Sequence, residues 1–366
     1  MRADYVMVGG FLGAGKTTAL LRLAEHFTAQ GRRVGLITND QSHGLVDTSM
    51  VAAKGYPVEE ITGGCFCCRF TSLTDASEKL TREARPEVFL AEPVGSCTDL
   101  RATVQYPLRR LYGDDYRVAP LSVLVDPKRA ARVLGLEPGR GFSPKVQYVY
   151  EKQLEEADVI VVNKSDLLNE GERLALEDAL RSRFPQAEVL TVSARTGANL
   201  SAWFARLAGP SDDRPAMDVD YDTYAEGEAL LGWLNATWAV SSAAAFDGNA
   251  FLERLAHAVQ HRLGERDIEI AHFKMTLAPD RGNDLAVLNV VRTEARAETP
   301  HRLADDLTHG ELILNLRAEG DPDTLKAIAL SGLEEAAGAA GVTATVAHIE
   351  HFRPGRPQPT HRMATA

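Results

Sequence analysis

Residues 10 to 17, Gly-Phe-Leu-Gly-Ala-Gly-Lys-Thr, have the G-x-x-x-x-G-K-T spacing of a loop that closes on phosphate. Gly10, Gly13 and Gly15 let the backbone curl, so that successive N–H groups, Ala14 among them, and the start of a helix face an anion. Lys16 then reaches the outer phosphates as a point charge, and the Thr17 hydroxyl joins the shell of a Mg²⁺ ion; Thr18 is counted with the nucleotide-binding residues. A second cluster lies in Ile-Thr-Gly-Gly-Cys-Phe-Cys-Cys-Arg-Phe, residues 61 to 70. Here Cys65, Cys67 and Cys68 fall within four positions of a chain that has four cysteines in all. Thiolates at that density hold soft or borderline divalent metals. A third motif, Asn163-Lys164-Ser165-Asp166, offers a carboxylate to a base with two neighbouring donors.

These groups need elements to hold them. Residues 4 to 9, Asp-Tyr-Val-Met-Val-Gly, read as a buried strand, and the helix after the loop carries Leu20, Leu21, Leu23, Ala24 and Phe27 at helical spacing. Residues 158 to 162 read as another buried strand that delivers Asn163 to Asp166. Guanine presents its ring N–H and exocyclic amine side by side and adenine does not, so Asp166 is the expected guanine reader. Lys164 lies along the base, and Asn163 ties this loop to the phosphate loop. Ser193 and Ala194 end a further strand, where a backbone N–H can meet the guanine carbonyl. Between these motifs the strand Val88 to Ala91 delivers Glu92 and then Gly95. The carboxylate can hold Mg²⁺, and the glycine N–H can sense a terminal phosphate. Motifs in this order at strand ends predict GTP as the nucleotide, since open α/β sheets bind ligands beyond the carboxyl ends of their strands.

A cytoplasmic location is expected, because the N-terminus lacks the apolar stretch and cleavage site of a signal peptide, and no apolar run approaches the roughly 18 residues needed to cross a bilayer. Thiols in that compartment stay reduced, which favours a metal or redox site over a disulfide framework. The formal charge of −11 argues against nucleic acid and anionic membranes as partners. Three thiolates leave one position of a four-coordinate site open, which suits a carrier that must release what it binds. Strand alternation would send Cys67 and Cys68 to opposite faces, so Gly63 and Gly64 must bend the chain. Cys97 is read first as a buried packing residue, with ligation as the alternative; His43 is another candidate fourth ligand.

Taken together, Gly-Gly-Phe-Leu-Gly-Ala-Gly-Lys-Thr-Thr, Gly-Gly-Cys-Phe-Cys-Cys, Glu-Pro-Val-Gly and Asn-Lys-Ser-Asp resemble the CobW-type GTPases, relatives of the GTPases that help insert nickel into urease and hydrogenase. The likeness covers roughly residues 4 to 210. It implies a parallel-sheet P-loop domain, a C-x-C-C metal site and GTP-dependent metal handling. Asp47 matches the family's aspartate after the first switch-like stretch, where it would position water near Mg²⁺ or the terminal phosphate. The stretch itself reads Asn-Asp-Gln-Ser-His here instead of the family's Asn-Glu-Phe-Gly-Glu.

The expected architecture is an α/β P-loop NTPase domain with a mostly parallel sheet, followed by a smaller α+β domain. Its boundaries are 1–208 for the nucleotide domain, 209–228 for a linker, 229–352 for the second domain and 353–366 for a disordered tail. In the second domain Leu252, Leu255, Val259 and Leu263 form an apolar helix stripe, His257 and His261 face solvent, and Asp321 with Pro322 starts a helix. The leading expectation is a slow, Mg²⁺-dependent GTPase that carries zinc or cobalt to a client metalloprotein; a homodimer stays open. The alternative is a GTP-gated activator of a metal- or cobalamin-dependent enzyme that does not carry the metal. A small-molecule kinase is disfavoured, since Asn-Lys-Ser-Asp specifies guanine without supplying an acceptor site.

Overall fold

The computed structural model describes residues 2–39, 55–282 and 284–366. His43 and Asp47 lie outside them. The chain divides into two units, Met1–Gly227 together with Arg356–Ala366, and Glu228–Gly355.

In the first unit, β1 (Ala3–Gly10) is buried over its last six residues and lies at the middle of an all-parallel sheet. To one side stand β4 (Val88–Glu92), β2 (Val34–Asn39) and β3 (Val58–Ile61). To the other stand β6 (Ser122–Val125), β7 (Val159–Val162) and β8 (Glu188–Thr191), with β5 (Tyr116–Val118) pairing an end of β1. The runs are nearly continuous in apolar residues because both faces are covered. Leaving β1, the chain turns through residues 11–15 into α1 (Lys16–Ala29), whose Leu20, Leu21, Leu23, Ala24 and Phe27 are buried as the spacing predicts. The strand order turns outward in both directions from β1, so the crevice beyond its carboxyl end is where such sheets bind ligands.

The second unit is a six-stranded antiparallel sheet in the order β12 (Glu298–His301), β11 (Ala286–Val290), β10 (Ile270–Pro279), β13 (Leu307–Glu319), β9 (Leu231–Phe246), β14 (Thr343–Phe352). Leu234, Ala236, Trp238 and Val240 alternate along β9, as do Phe273, Met275 and Leu277 along β10. They share one core with the helical residues Leu252, Leu255, Val259, Leu263, Leu325, Ile328 and Leu333. The carboxylate of Asp321 accepts the Thr324 N–H and Pro322 follows it, which is the predicted helix start. His257 and His261 are exposed.

Two expectations fail here. A helix, Tyr221–Leu230, occupies the end of the expected linker, with Tyr224 fully buried; the Thr98 N–H donates to its hydroxyl at 3.2 Å. The expected disordered tail is held against the first unit by hydrogen bonds, among them Met363 N–H to the Ala102 carbonyl at 2.9 Å. Aspartates and prolines in these segments cap and fix backbone instead of marking free chain.

The same region closes a buried polar cluster. Arg101 is ion-paired with Asp158, both almost fully buried, and its backbone N–H donates to the Glu156 carboxylate at 2.9 Å. Burial pushes the Glu156 carboxyl up to about 8; the Arg101 N–H opposes this and the nearby Asp99 charge adds to it. The folded state therefore holds a proton that the unfolded chain releases near 4.5. Stability from this group is complete below that value and is lost as pH rises through about 8, with a ceiling of about 5 kcal/mol. Urea midpoints should fall between pH 5 and pH 8.5, and Glu156→Gln, neutral throughout, should flatten that slope.

Candidate nucleotide and metal sites

The phosphate loop depends on its glycines. Gly10 has φ +130°, and a Cβ there would lie 2.3 Å from the Leu124 carbonyl oxygen of the neighbouring strand. Gly13 and Gly15 have φ +79° and +86°, and a Cβ on Gly15 would meet the Asn163 amide at 2.6 Å. Lys16 and Thr17 follow, both less than a tenth exposed, and point at one partner. The Thr17 hydroxyl donates to Glu92 Oε1 at 3.2 Å, and Lys16 Nζ lies 3.9 Å from the same oxygen. A hard-cation shell can be built on that hydroxyl and carboxylate. Gly95 closes the other side, since a Cβ there would reach the Leu12 N at 3.0 Å. The Gln153 amide holds the segment beyond it by donating to the Gly95 and Cys97 carbonyls.

Beyond β7, Asn163 is buried and points back toward the phosphate loop. Its amide donates to the Ala14 carbonyl at 2.9 Å, and its oxygen accepts the Ala194 N–H at 3.0 Å, joining three loops. Asp166 accepts from the Ser193 hydroxyl at 2.6 Å and is ion-paired with the exposed Arg195. Lys164, at φ +54°, reaches Asp126 at 2.9 Å. The sequence reading gave Asp126 no role, and the structure buries it as the partner of Lys164. Burial would raise its carboxyl, but the Lys164 charge and the Arg129 N–H outweigh that and hold it below the usual value. Its signal was present in Val125-Asp126-Pro127, a strand end, a helix cap and a proline at the first helical position.

The cysteine loop is a helical turn running into a helix at Phe70–Glu83. The Cys68 and Arg69 N–H groups both donate to the Cys65 carbonyl. Gly63 and Gly64, at φ +72° and +154°, make the bend that the alternation argument requires. The turn gathers the sulfurs: Cys65 to Cys67 is 2.7 Å, Cys65 to Cys68 is 3.3 Å and Cys67 to Cys68 is 3.7 Å. A tetrahedral zinc with sulfurs at about 2.3 Å spaces them roughly 3.8 Å apart, so the donor set fits once the closest pair opens by about 1 Å. Hydrogen bonding with Cys67, Cys68 and Cys97 holds the Cys65 thiol well below its ordinary range. The shared protons push Cys67 well above that range and Cys68 up to about 11. Cys97 is thus buried and borders the cluster, outside the tight group of three.

Asn39, also unforeseen, lies between the two sites and holds the turn before the cysteines. Its amide donates to the Ile61 carbonyl at 2.9 Å and the Gly64 carbonyl at 2.7 Å. The preceding residue, Thr38, is paired with Glu92 across the β2–β4 ladder. One backbone step therefore separates the strand neighbour of Glu92 from the residue that fixes the turn before Cys65.

A phosphate loop at the switch point of a parallel sheet, with three converging thiols beyond the edge strand β3, defines a nucleotide-binding domain of the P-loop class with a candidate metal centre. Residues 4–191 match the family model described as CobW/HypB/UreG, nucleotide-binding domain, and the chain belongs to that family. The zinc chaperone CobW of a Sinorhizobium species is 28% identical over 196 residues, 48% of this chain and 55% of the relative. The zinc chaperone YeiR of Escherichia coli (strain K12) is 29% identical over 174 residues, 47% of this chain and 49% of the relative. The chain therefore spans about half the length of these curated relatives. The Zn(II)-bound YjiA GTPase from E. coli overlaps with a TM-score of 0.40 at 16% identity, covering 91% of this chain and 99% of that one. Among the described residues no helix is long and apolar enough to cross a membrane.

Proposed function

We propose that the protein is a GTP-hydrolysing metallochaperone that takes up zinc, with cobalt as the second candidate, on Cys65, Cys67 and Cys68 and passes it to a client metalloprotein in the cytoplasm. The observation that carries this reading is the Asn39 bridge, which ties the cysteine turn to the strand beside Glu92. The residues around the phosphate loop support guanine nucleotide: Asp166 faces the base, Ala14 and Lys16 face the phosphates, and Thr17 with Glu92 holds Mg²⁺. When bound, that ion neutralises charge on the outer phosphates. Gly95, packed against Leu12, conveys the presence of the terminal phosphate to the segment that continues to Cys97.

Nucleotide state and metal affinity are then coupled. Such couplings run to ~1 to 3 kcal/mol, about 5- to 150-fold in affinity, and act equally in both directions. Competitive zinc titration with a non-hydrolysable GTP analogue and with GDP, side by side, should show a difference in that range. Equal zinc affinity in the two states would remove the coupling. Absence of bound zinc in both would favour the activator that carries no metal.

A further inference from the structure

Residues 356–366 return to the first unit and run across the cysteine turn. In Arg356-Pro357-Gln358-Pro359-Thr360 the two prolines have no N–H to give and fix φ, so over residues 357–360 only Gln358 and Thr360 keep a backbone donor. Both are used on the cysteine turn. The Gln358 N–H donates to the Cys68 sulfur at 3.1 Å, and the Thr360 N–H donates to the Cys67 carbonyl at 2.9 Å. The Thr360 hydroxyl adds a bond to the Cys68 carbonyl at 3.2 Å, while the Gln358 side chain is exposed. Cys68 is the one partly exposed thiol of the cluster.

Each end of this segment is anchored. Arg356 is ion-paired with Asp222 at 2.5 Å. At the other end the Arg362 guanidinium donates to Asp99 at 2.7 Å, the Met363 N–H donates to the Ala102 carbonyl, and the His361 ring stands edge-on to Phe70 at 5.0 Å. Asp99 is four residues beyond Gly95, so one segment spans the cysteine turn and the stretch that follows the glycine beside the phosphate loop.

We propose that residues 356–363 form a strap over the cysteine cluster: it covers the Cys68 sulfur, governs access to the three thiols, and lifts when they exchange a ligand. That the ligand is a metal rests on the function proposed above; the covering does not. The strap supplies an N–H donor to a ligating sulfur, the kind of outer contact that orients a ligand and tunes its affinity.

The first test uses metal-free protein and iodoacetamide, with alkylation at Cys68 followed by peptide mass spectrometry. Gln358→Pro removes one of the three bonds to the turn without touching a buried side chain, and should speed alkylation about 5-fold. A chain ending at Gly355 removes all three and should speed it on the order of 100-fold, each neutral bond counting for roughly a factor of five. Thermal melts of Gln358→Pro within a few degrees of the parent exclude global unfolding as the cause. Unchanged Cys68 alkylation in both variants overturns the strap. In the second test, zinc-loaded Gln358→Pro should release zinc to a chelator about 10-fold faster. Faster alkylation of the variants, with a parent protein that binds no zinc, leaves the strap standing and removes the metal reading alone; faster alkylation with unchanged release of bound zinc overturns the claim that the strap lifts for exchange.

Discussion

Exchanging Asp166 for asparagine is expected to lower GTP affinity about 10²- to 10⁴-fold and to create affinity for xanthosine triphosphate. A carboxylate accepts from both the ring N–H and the exocyclic amine of guanine, and each bond to a charged group contributes about 1.5 to 3 kcal/mol. Losing both costs two to four decades. An asparagine amide would set a donor against the guanine amine, whereas xanthine has a carbonyl oxygen at that position and turns the same donor into a partner. Asp166 already accepts from Ser193 and is ion-paired with Arg195. Arg195 is mostly exposed, so giving up that pair for a base costs little. Isothermal titration of both nucleotides against both proteins measures the exchange. Equal loss of both nucleotides in the variant would mean that the substitution had collapsed the loop, and GTP binding unchanged by it would remove Asp166 from base recognition.

The parts of this site set by local sequence were legible, and those set by pairing between distant strands were not. Gly10 to Thr17 could be read because a tight turn on a phosphate demands glycine at fixed offsets, and Gly10 proves sterically strict against Leu124. Asn163 was readable for a related reason, since its motif fixes which strand end it occupies. Asn39 was not. Its role depends on β2 lying between β3 and β4, a neighbour relation that no local pattern encodes. Asp126 carried a capping signature, yet nothing nearby pointed to Lys164 as its partner thirty-eight residues on. The strap was misread because proline and polar composition argues for disorder only when a segment's N–H groups lack acceptors. Here Gln358 and Thr360 find theirs some 290 residues away.

The larger effect is expected at the metal. Serine at Cys65, Cys67 and Cys68 together should abolish zinc binding, because a serine hydroxyl neither ionises at neutral pH nor offers a soft donor. If a zinc–thiolate site contributes about 10 kcal/mol in apparent binding, each of three ligands accounts for about 3 kcal/mol, so single substitutions cost about two decades of affinity. They should not be equal. Cys65 is buried and bonds to both other sulfurs of the cluster, whereas Cys68 is partly exposed and rests on the strap. Cys65→Ser should therefore weaken zinc more than Cys68→Ser, read by competition with a chromophoric chelator at pH 7. GTP binding should survive the triple change, since Lys16, Thr17 and Glu92 hold one another without help from the thiols. What should disappear in that variant is the difference in nucleotide affinity between zinc-loaded and zinc-free protein, because a coupling that runs through Asn39 needs an ion at the far end to act on. Persistence of a zinc-dependent shift without the three sulfurs would place the metal elsewhere in the chain.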